Sequence, residues 1–269
     1  MTALDIAALD KPAYLARIGF TGLLEPTRAV LHQLHLAHAT HIPFENLDVL
    51  LGVPIPLDVA RLQMKLVHGQ RGGYCFEHNI LFWAVLQRAG FQVRPLSARV
   101  RYKTQRILPR THMLLLVEGL GMPLIADVGF GGDGPLLPLD LVADAPVQQM
   151  HWMYRLIASD DGWTMQTLEA GVWIDLYTFD LQRQEFPDLE MAHYYTATHP
   201  NSRFRHTLAV RCMRDGQRLS LRNRELTIDT GALKTTRTLA DHAEVVRVLA
   251  ADFGLTIPAG TAFNYDVAF

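Results

Sequence analysis

This sequence of 269 residues has only two cysteines, no large excess of positive or negative residues and no long apolar run. Lys and Arg together (25) nearly balance Asp and Glu (27), which leaves a formal net charge of -2. With no basic excess and no polybasic run, nothing in the sequence indicates nucleic acid or a membrane surface as a partner. No apolar run is long enough to span a bilayer, so we expect no membrane-spanning segment.

The two cysteines, Cys75 and Cys212, are too few for a disulfide scaffold in a chain of this size. The N-terminal segment carries Asp5 and Asp10 and has no basic region followed by a long apolar core, unlike a secretion signal. We therefore expect reduced thiols and a cytoplasmic protein. The composition, with 49% apolar and 19% charged residues, is typical of a globular chain.

The predicted elements come in the order helices, then strands, then a mixture of both. Helical spacing and caps predict three early helices: one after Pro26, one from Asp58 to Gly69, and one from Tyr74 to Ala89. Period-two patterns predict strands at 92–102, 112–118, 123–130, 151–158, 162–168 and 171–180. A helix after Pro187, further strands and a helix near Asp241 follow. This order predicts a helical domain (1–91), a β-barrel domain (92–186) and an α/β lid domain (187–269).

Four histidines recur at every third residue in the first long helix: His32, His35, His38 and His41. Steps of three residues drift by about sixty degrees each around a helix, so the four cannot converge on one metal ion. They also avoid the face formed by Val30, Leu34 and Ala37. We interpret them as a polar helix face and predict no metal site.

Cys75 lies where a tight turn leads into a helix, after Gly72 and Gly73. The free amides and the dipole at a helix start favour negative charge, so a thiol there is expected to lose its proton more easily. Those amides also suit an oxyanion formed during acyl transfer. The alternative is a small buried apolar residue, the commonest fate of a free cysteine.

A histidine and an aspartate flank one predicted hairpin, in which the turn 118–123 joins the strands that carry His112 and Asp127. A symmetric hairpin places the two side chains opposite each other on one face. A carboxylate beside a histidine fixes its tautomer, as a base for a nucleophilic thiol requires. The alternative is a structural pair, and a register slip of one residue would separate the two.

Several motifs occur together in a characteristic order: Pro43-Phe44-Glu45-Asn46-Leu47, Arg71-Gly72-Gly73-Tyr74-Cys75-Phe76-Glu77, Asp127-Val128-Gly129-Phe130-Gly131 and His199-Pro200-Asn201-Ser202-Arg203-Phe204. The sequence thereby resembles the arylamine N-acetyltransferase family from about residue 10 to the C-terminus. The resemblance implies an α+β fold with a helical first domain, a β-barrel second domain and an α/β third domain around a papain-like cysteine triad.

The resemblance also implies a chemistry and a set of site residues. Acetyl-CoA, a co-substrate and not a permanently bound cofactor, would acetylate Cys75, and an arylamine, hydrazine or N-hydroxyarylamine would then take the acetyl group. His112 would accept the thiol proton and Asp127 would orient it. The CoA loop would be Gly129, Phe130, Gly131 and Gly132, and the substrate pocket would include Phe44, Phe130 and Phe204. The predicted partners are these small molecules, and the predicted state is a monomer or homodimer.

Some polar residues near these motifs have structural interpretations. Glu45 and Asn46 are predicted to be hydrogen-bonding struts, Glu77 to complement the helix dipole, and Arg71 and Arg110 to be ion-paired or solvated. Cys212 is predicted to be an inert thiol, and the segment 263–266 has no assigned role.

Three other functions use the same residues. A cysteine hydrolase or transglutaminase-like enzyme would need a cleft open to a peptide and no CoA. A related amide synthase would use carrier-bound substrates. A binding protein with a degenerate site is disfavoured by the intact Cys75, His112 and Asp127.

Overall fold

The computed structural model of the chain describes residues 4–258, 260–261 and 263. The fold is α+β, as expected, with helices first and antiparallel sheets after them. Residues 264–266 of the C-terminal segment discussed above lie outside the described residues. Among those described, no helix has the length and apolarity needed to cross a bilayer.

The N-terminal part is built from short helices joined by tight connections: α1 (Lys11–Arg17), α2 (Arg28–His41), α3 (Leu47–Leu51), α4 (Val59–Gln63), which continues as a π-helical turn (Met64–His68), and α5 (Cys75–Arg88). The side chain of Asp58 caps α4 by accepting the Arg61 amide, as predicted. The sequence predicts that this helix ends at Gly69 because glycine suits the left-handed position after a helix, but Gly69 has a φ of -77° and the neighbouring Gln70 takes the positive φ. At the end of α5, Gly90 does have the positive φ that the sequence indicates.

The middle of the chain forms one antiparallel sheet of eight strands: β2 (Gln92–Val100), β3 (His112–Glu118), β4 (Leu124–Ala126), β5 (Leu139–Asp140), β6 (Val147–Gln149), β7 (Trp152–Ser159), β8 (Gly162–Glu169) and β9 (Val172–Phe179). Their order in the sheet is β5-β4-β3-β2-β9-β8-β7-β6. Just after β5, Ala143 forms a bridge with Leu156 of β7, so the sheet curls toward a barrel. The strand predicted at 123–130 is shorter because the chain leaves the ladder after Ala126.

A second sheet has the order β1-β10-β11-β12-β13. Its strands are β1 (Phe44–Glu45), β10 (Ala209–Arg214), β11 (Gln217–Arg222), β12 (Glu225–Asp229) and β13 (Lys234–Thr238), and helices α6 (Phe186–Thr198) and α7 (His242–Phe253) accompany them. Strand β1 comes from the N-terminal part, where the sequence predicted a turn, and pairs Phe44 with Arg211. The domain boundaries at 91/92 and 186/187 stay a prediction.

Strand β3 has a different core on each of its two faces. Met113, Leu115 and Val117 belong to the cluster that includes the apolar residues of α5, whereas Leu114 and Leu116 belong to the interior of the curled sheet. His112 lies on the second face, because side chains alternate along a strand. The face of β3 that carries Met113, Leu115 and Val117 therefore packs against α5.

Candidate active site

Cys75 is the first residue of α5, and the chain reaches it through a crowded turn. A Cβ atom added to Gly72 would collide with the carbonyl oxygen of Pro43, and one added to Gly73 would lie 2.8 Å from the Glu77 side chain. Glycine is therefore required at both positions by the close approach of other groups, and neither position has the positive φ of a left-handed turn. The Glu45 amide donates to the Gly73 carbonyl at 2.7 Å and fixes the turn.

The thiol of Cys75 is 4% exposed, and its Sγ lies 3.6 Å from the carbonyl oxygen of Thr111, the residue before His112. Burial raises the pKa of this thiol, and the charge of Asp127 adds to the effect. The Phe76 and Met113 amides lower the pKa, as expected at a helix start, but burial outweighs them. The helix-start amide therefore acts in the expected direction, and burial opposes it.

The imidazole of His112 and the carboxylate of Asp127 form a buried pair, with Nε2 2.7 Å from Oδ2. The strands pair Leu115 with Ala126 and Leu116 with Ile125, so His112 is not directly opposite Asp127 as the symmetric hairpin predicted. The register is offset by two residues, which leaves both side chains on the same face and joins them diagonally. The carboxylate reaches His112 from just beyond the end of β4.

Asp127 is held by more than the histidine. Its Oδ1 accepts hydrogen bonds from Asn79 Nδ2 and from the Gly129 amide, each at 3.0 Å. Although burial acts to raise the pKa of Asp127, the charge of His112 and these hydrogen bonds keep it below its ordinary value. Asn79, one helical turn after Cys75, also donates to the Met113 carbonyl and accepts from the Val128 amide. This role of Asn79 was not predicted from the sequence.

The loop after Asp127 packs directly on Cys75. A Cβ atom at Gly129 would lie 2.7 Å from the carbonyl oxygen of Cys75. Gly131 has a φ of +70°, and a Cβ there would press on the Phe44 ring. The two glycines thus permit the loop to lie between α5 and Phe44.

A cavity of about 610 Å³ opens beside these groups. The predicted site residues that line it are Phe44, Cys75, His112, Gly129, Phe130, Gly132 and Phe204, whereas Asp127 and Gly131 lie behind its wall. The ring of His112 packs edge-on against Phe130, with centroids 5.2 Å apart. The cavity therefore brings the thiol, the imidazole and the three predicted aromatic residues to one space.

Both basic and acidic side chains line the cavity, and Asp133, Glu225 and Asp229 are the acidic ones. Arg203, Arg211 and Arg222 all line it. Burial lowers the pKa of Arg203, and the charges of Arg222 and Arg211 lower it further. Mutually repelling guanidinium groups of this kind favour an anionic ligand.

Comparison with known proteins agrees with this geometry. A family model described as N-acetyltransferase matches residues 27–262. An arylamine N-acetyltransferase of Escherichia coli strain K12 is 42% identical over 247 residues, which cover 91% of this chain and 88% of that protein. The chain belongs to the arylamine N-acetyltransferase family. It is accordingly an enzyme of that class.

Two further relatives of this N-acetyltransferase are informative. The protein of Salmonella typhimurium named arylamine N-acetyltransferase / N-hydroxyarylamine O-acetyltransferase is 41% identical, covering 91% of this chain and 88% of that one. The structure of the Mycobacterium marinum arylamine N-acetyltransferase in complex with CoA superimposes with a TM-score of 0.86 at 38% identity. That alignment covers 91% of this chain and 92% of the M. marinum chain.

The prediction of a polar histidine face on α2 of the enzyme is wrong for two of the four residues. His35 and His38 are fully buried, and they share the inward face with Leu31 and Leu34. These four positions have the spacing i, i+3, i+4 and i+7 of one helix face, so the signal was present in the sequence. Among the described residues, no group of three or more His, Cys, Asp or Glu is placed to hold a metal ion.

A chain of buried hydrogen bonds runs from α1 to the turn before Cys75. Tyr14 Oη contacts His38 Nδ1 at 2.8 Å, His38 Nε2 contacts His78 Nδ1 at 2.8 Å, and His78 Nε2 contacts the Pro43 carbonyl at 3.2 Å. Because a carbonyl only accepts, each neutral ring must donate from Nε2 and Tyr14 must donate to His38. The chain of donors therefore points from Tyr14 toward the Pro43 carbonyl at the crowded turn.

An ion-pair network also supports the first turn of α5. Lys65 Nζ lies 2.7 Å from both Glu77 and Asp48, and Glu77 accepts the Tyr74 amide. Burial acts to lower the pKa of Lys65, but the acidic groups of Glu77, Glu45 and Asp48 raise it. Glu77 therefore stabilises the helix start, as expected, and does so by pairing with Lys65, which was not predicted to take part.

Arg71, Arg110 and the struts have the predicted structural contacts. Arg71 pairs with Glu45 and Asp48, and Arg110 pairs with Asp180 at 2.5 Å. The Asn46 side chain donates to the carbonyls of residues 204 and 207 and accepts the residue 209 amide, which ties the N-terminal part to the second sheet.

We expect Lys65→Met to lower the free energy of unfolding by about 3–5 kcal/mol, because the buried Glu77 carboxyl, whose pKa burial already raises to about 7, would lose its cation. Urea unfolding followed by circular dichroism measures the loss. Arg61→Met is the matched control, since the Arg61 side chain is 72% exposed and pairs with Asp58 only at 3.8 Å. It should change stability by at most about 1 kcal/mol. Equal losses in the two variants would contradict a buried, strongly paired Lys65.

Proposed function

We propose that the enzyme transfers an acetyl group from acetyl-CoA through a thioester on Cys75 to an arylamine, a hydrazine or an N-hydroxyarylamine. The observation that carries this proposal is the buried pair of His112 and Asp127, whose histidine lines the same cavity as Cys75. A histidine held by a carboxylate beside a thiol is the arrangement that activates a cysteine nucleophile.

The hydrogen bond to Asp127 assigns the two nitrogens of His112. An ionised carboxylate only accepts, so Nε2 carries the proton and donates to Asp127 Oδ2 at 2.7 Å. Nδ1 is then left with its lone pair and serves as the base for the thiol. Nδ1 can then take the thiol proton and leave the Cys75 sulfur as the nucleophile.

The acylation step forms one bond and breaks one. The Cys75 sulfur attacks the thioester carbonyl of acetyl-CoA, His112 Nδ1 takes the thiol proton, and the bond from the acyl carbon to the CoA sulfur breaks. His112 returns the proton to the departing CoA thiolate. The Phe76 and Met113 amides, which face the Cys75 sulfur, are the nearest donors for the developing negative charge.

The second step reverses the roles of the sulfur atoms. An acceptor nitrogen or hydroxyl attacks the acetyl-cysteine, the bond from the acyl carbon to Cys75 breaks, and His112 takes the acceptor's proton and returns it to the thiol. The aromatic wall of Phe44, Phe130 and Phe204 suits a flat acceptor. The name of the Salmonella relative, which includes transfer to N-hydroxyarylamines, supports that acceptor class.

Acetyl-CoA as the donor is supported by the charge of the cavity and by the M. marinum complex. Arg203, Arg211 and Arg222 would attract its phosphates, and Gly129 and Gly132 line the same cavity. The contacts predicted for Gly131 and Phe130 with CoA belong to this proposal, as do a cytoplasmic location and a monomeric or dimeric state.

Intact-protein mass spectrometry after a brief exposure to acetyl-CoA without acceptor tests this proposal. We expect a gain of one acetyl group, localised to Cys75 by peptide mapping, and its loss when an arylamine is added. A folded, reduced protein that gains no acetyl group would contradict the proposal. Hydrolysis of a peptide substrate by that same protein would then favour the cysteine hydrolase.

A further inference from the structure

His35 connects the two ends of the loop that begins with Asp127. Its Nε2 lies 3.0 Å from the Asp127 amide nitrogen, and its Nδ1 lies 2.8 Å from the Leu136 carbonyl oxygen. The amide only donates and the carbonyl only accepts, so the ring must accept at Nε2 and donate from Nδ1. One neutral tautomer of His35 therefore satisfies both ends of residues 127–136.

The surroundings of His35 keep this tautomer in place. The side chain is fully buried and packs edge-on against Phe82 of the nucleophile's helix, with ring centroids 5.8 Å apart. Burial lowers the pKa of His35 to about 4, so the ring stays neutral near pH 7. A proton on Nε2 would point one donor at another donor, the Asp127 amide.

The far end of the same loop has a second attachment. Gln149 Oε1 accepts the amides of Leu136 and Leu137, and Gln149 Nε2 donates to the Leu137 carbonyl. The end at Leu136 is thus fixed to the curled sheet, while the amide of Asp127 is bonded to His35 on α2. The main chain at Asp127 is positioned by His35 and its carboxylate by Asn79, Gly129 and His112.

We propose that His35 is a positioning residue for the reaction, because it holds the main chain of Asp127 at the place where the carboxylate can bond His112 Nε2. This inference rests on the proposed function, in which Asp127 fixes the tautomer of His112. Displacements of about 1 Å in a catalytic group can reduce rates by about 100-fold. His35, which was predicted to lie on a polar helix face, would then position an active-site residue.

Two substitutions separate the two bonds of His35. In His35→Asn the amide group stands near the position of Nδ1, so the bond to Leu136 can form and the acceptor for Asp127 is lost. In His35→Gln the amide group stands near the position of Nε2, so the acceptor for Asp127 is kept. We expect the rate of Cys75 acetylation to fall by about 10- to 100-fold in His35→Asn and to recover largely in His35→Gln.

The pH dependence of single-turnover acetylation distinguishes positioning from general loss of stability. In His35→Asn we expect the pH limb that reports the His112–Asp127 pair to shift, together with faster hydrogen exchange of the Asp127 amide. Tyr14→Phe is the control, because it removes a buried hydrogen bond to His38 on the same helix without touching Asp127. That variant should lower the melting temperature and leave the pH limb unchanged.

Equal rates and pH limbs for wild type and His35→Asn, per folded molecule, would overturn the inference, as would equal losses in the Asn and Gln variants. If wild-type enzyme is never acetylated at Cys75, the proposed function fails. The exchange rate of the Asp127 amide then still decides the positioning role: acceleration in His35→Asn but not in His35→Gln supports it, and no acceleration overturns it.

Discussion

Cys75→Ser should abolish the acetylated intermediate and lower arylamine acetylation by a factor on the order of 10⁴ or more. Serine has nearly the shape of cysteine, so the first turn of α5 and the contact with the Thr111 carbonyl should persist. The hydroxyl is a far weaker acid than a thiol, and the burial that already raises the pKa of Cys75 would disfavour an alkoxide still more. Steady-state rates with acetyl-CoA and an arylamine, together with intact mass, measure the loss.

Cys212→Ser is the matched control for that substitution. Cys212 is a partly buried thiol on β10 whose Sγ lies 3.8 Å from the Asp252 carbonyl oxygen, away from the cavity. We expect this variant to be acetylated and to turn over like wild type. Acetylation that persists in Cys75→Ser but disappears in Cys212→Ser would place the thioester on Cys212 and contradict the proposal.

Asp127→Asn should lower kcat/KM by about 10³- to 10⁴-fold while the fold stays intact. The position of Oδ1 receives two donors, Asn79 Nδ2 and the Gly129 amide, so the amide oxygen of the new side chain must face them. Its NH₂ group is then directed at His112 Nε2, which must give up its proton and accept. The proton moves to Nδ1, and the imidazole has no lone pair for the thiol.

The reaction rate and the tautomer of His112 are both measurable for this variant. Nitrogen chemical shifts of His112 should show protonation at Nε2 in the wild type and at Nδ1 in Asp127→Asn. Asp180→Asn is the control, since it breaks an aspartate ion pair with Arg110 outside the triad. Wild-type rates in Asp127→Asn would mean that the carboxylate does not orient the base.

The sequence was sufficient to identify Cys75, His112 and Asp127 as a group, because the signals for each are local. A Gly-Gly turn before a helix and two apolar strands around a short turn are encoded within a few residues. The register of the hairpin, by contrast, could not be predicted from these local signals. It is offset by two residues from the symmetric prediction, and the pair forms only because an even offset preserves the face of the strand.

The residues that support the triad were harder to predict, because their roles depend on long-range contacts. His35 meets Asp127 across 92 positions of sequence. Asn79 lies one helical turn after Cys75 in the sequence, but only the fold shows that its side-chain amide donates to Asp127. Lys65 lies between Glu77 and Asp48 only because α5 packs against it, and no local pattern in the sequence indicates this pairing.

Strand β1 can join the second sheet only after most of the chain has been synthesised. Phe44 and Glu45 leave the ribosome early, but their partners in β10 follow after more than 160 further residues. Cys75, His112 and Asp127 are therefore all translated before the second sheet can close on Phe44. A nascent chain that stops short of residue 209 can contain these three residues and still lack one wall of the cavity. Such widely separated pairing is typical of slowly folding chains, so we expect the wall formed by the second sheet to close over Cys75 late in folding.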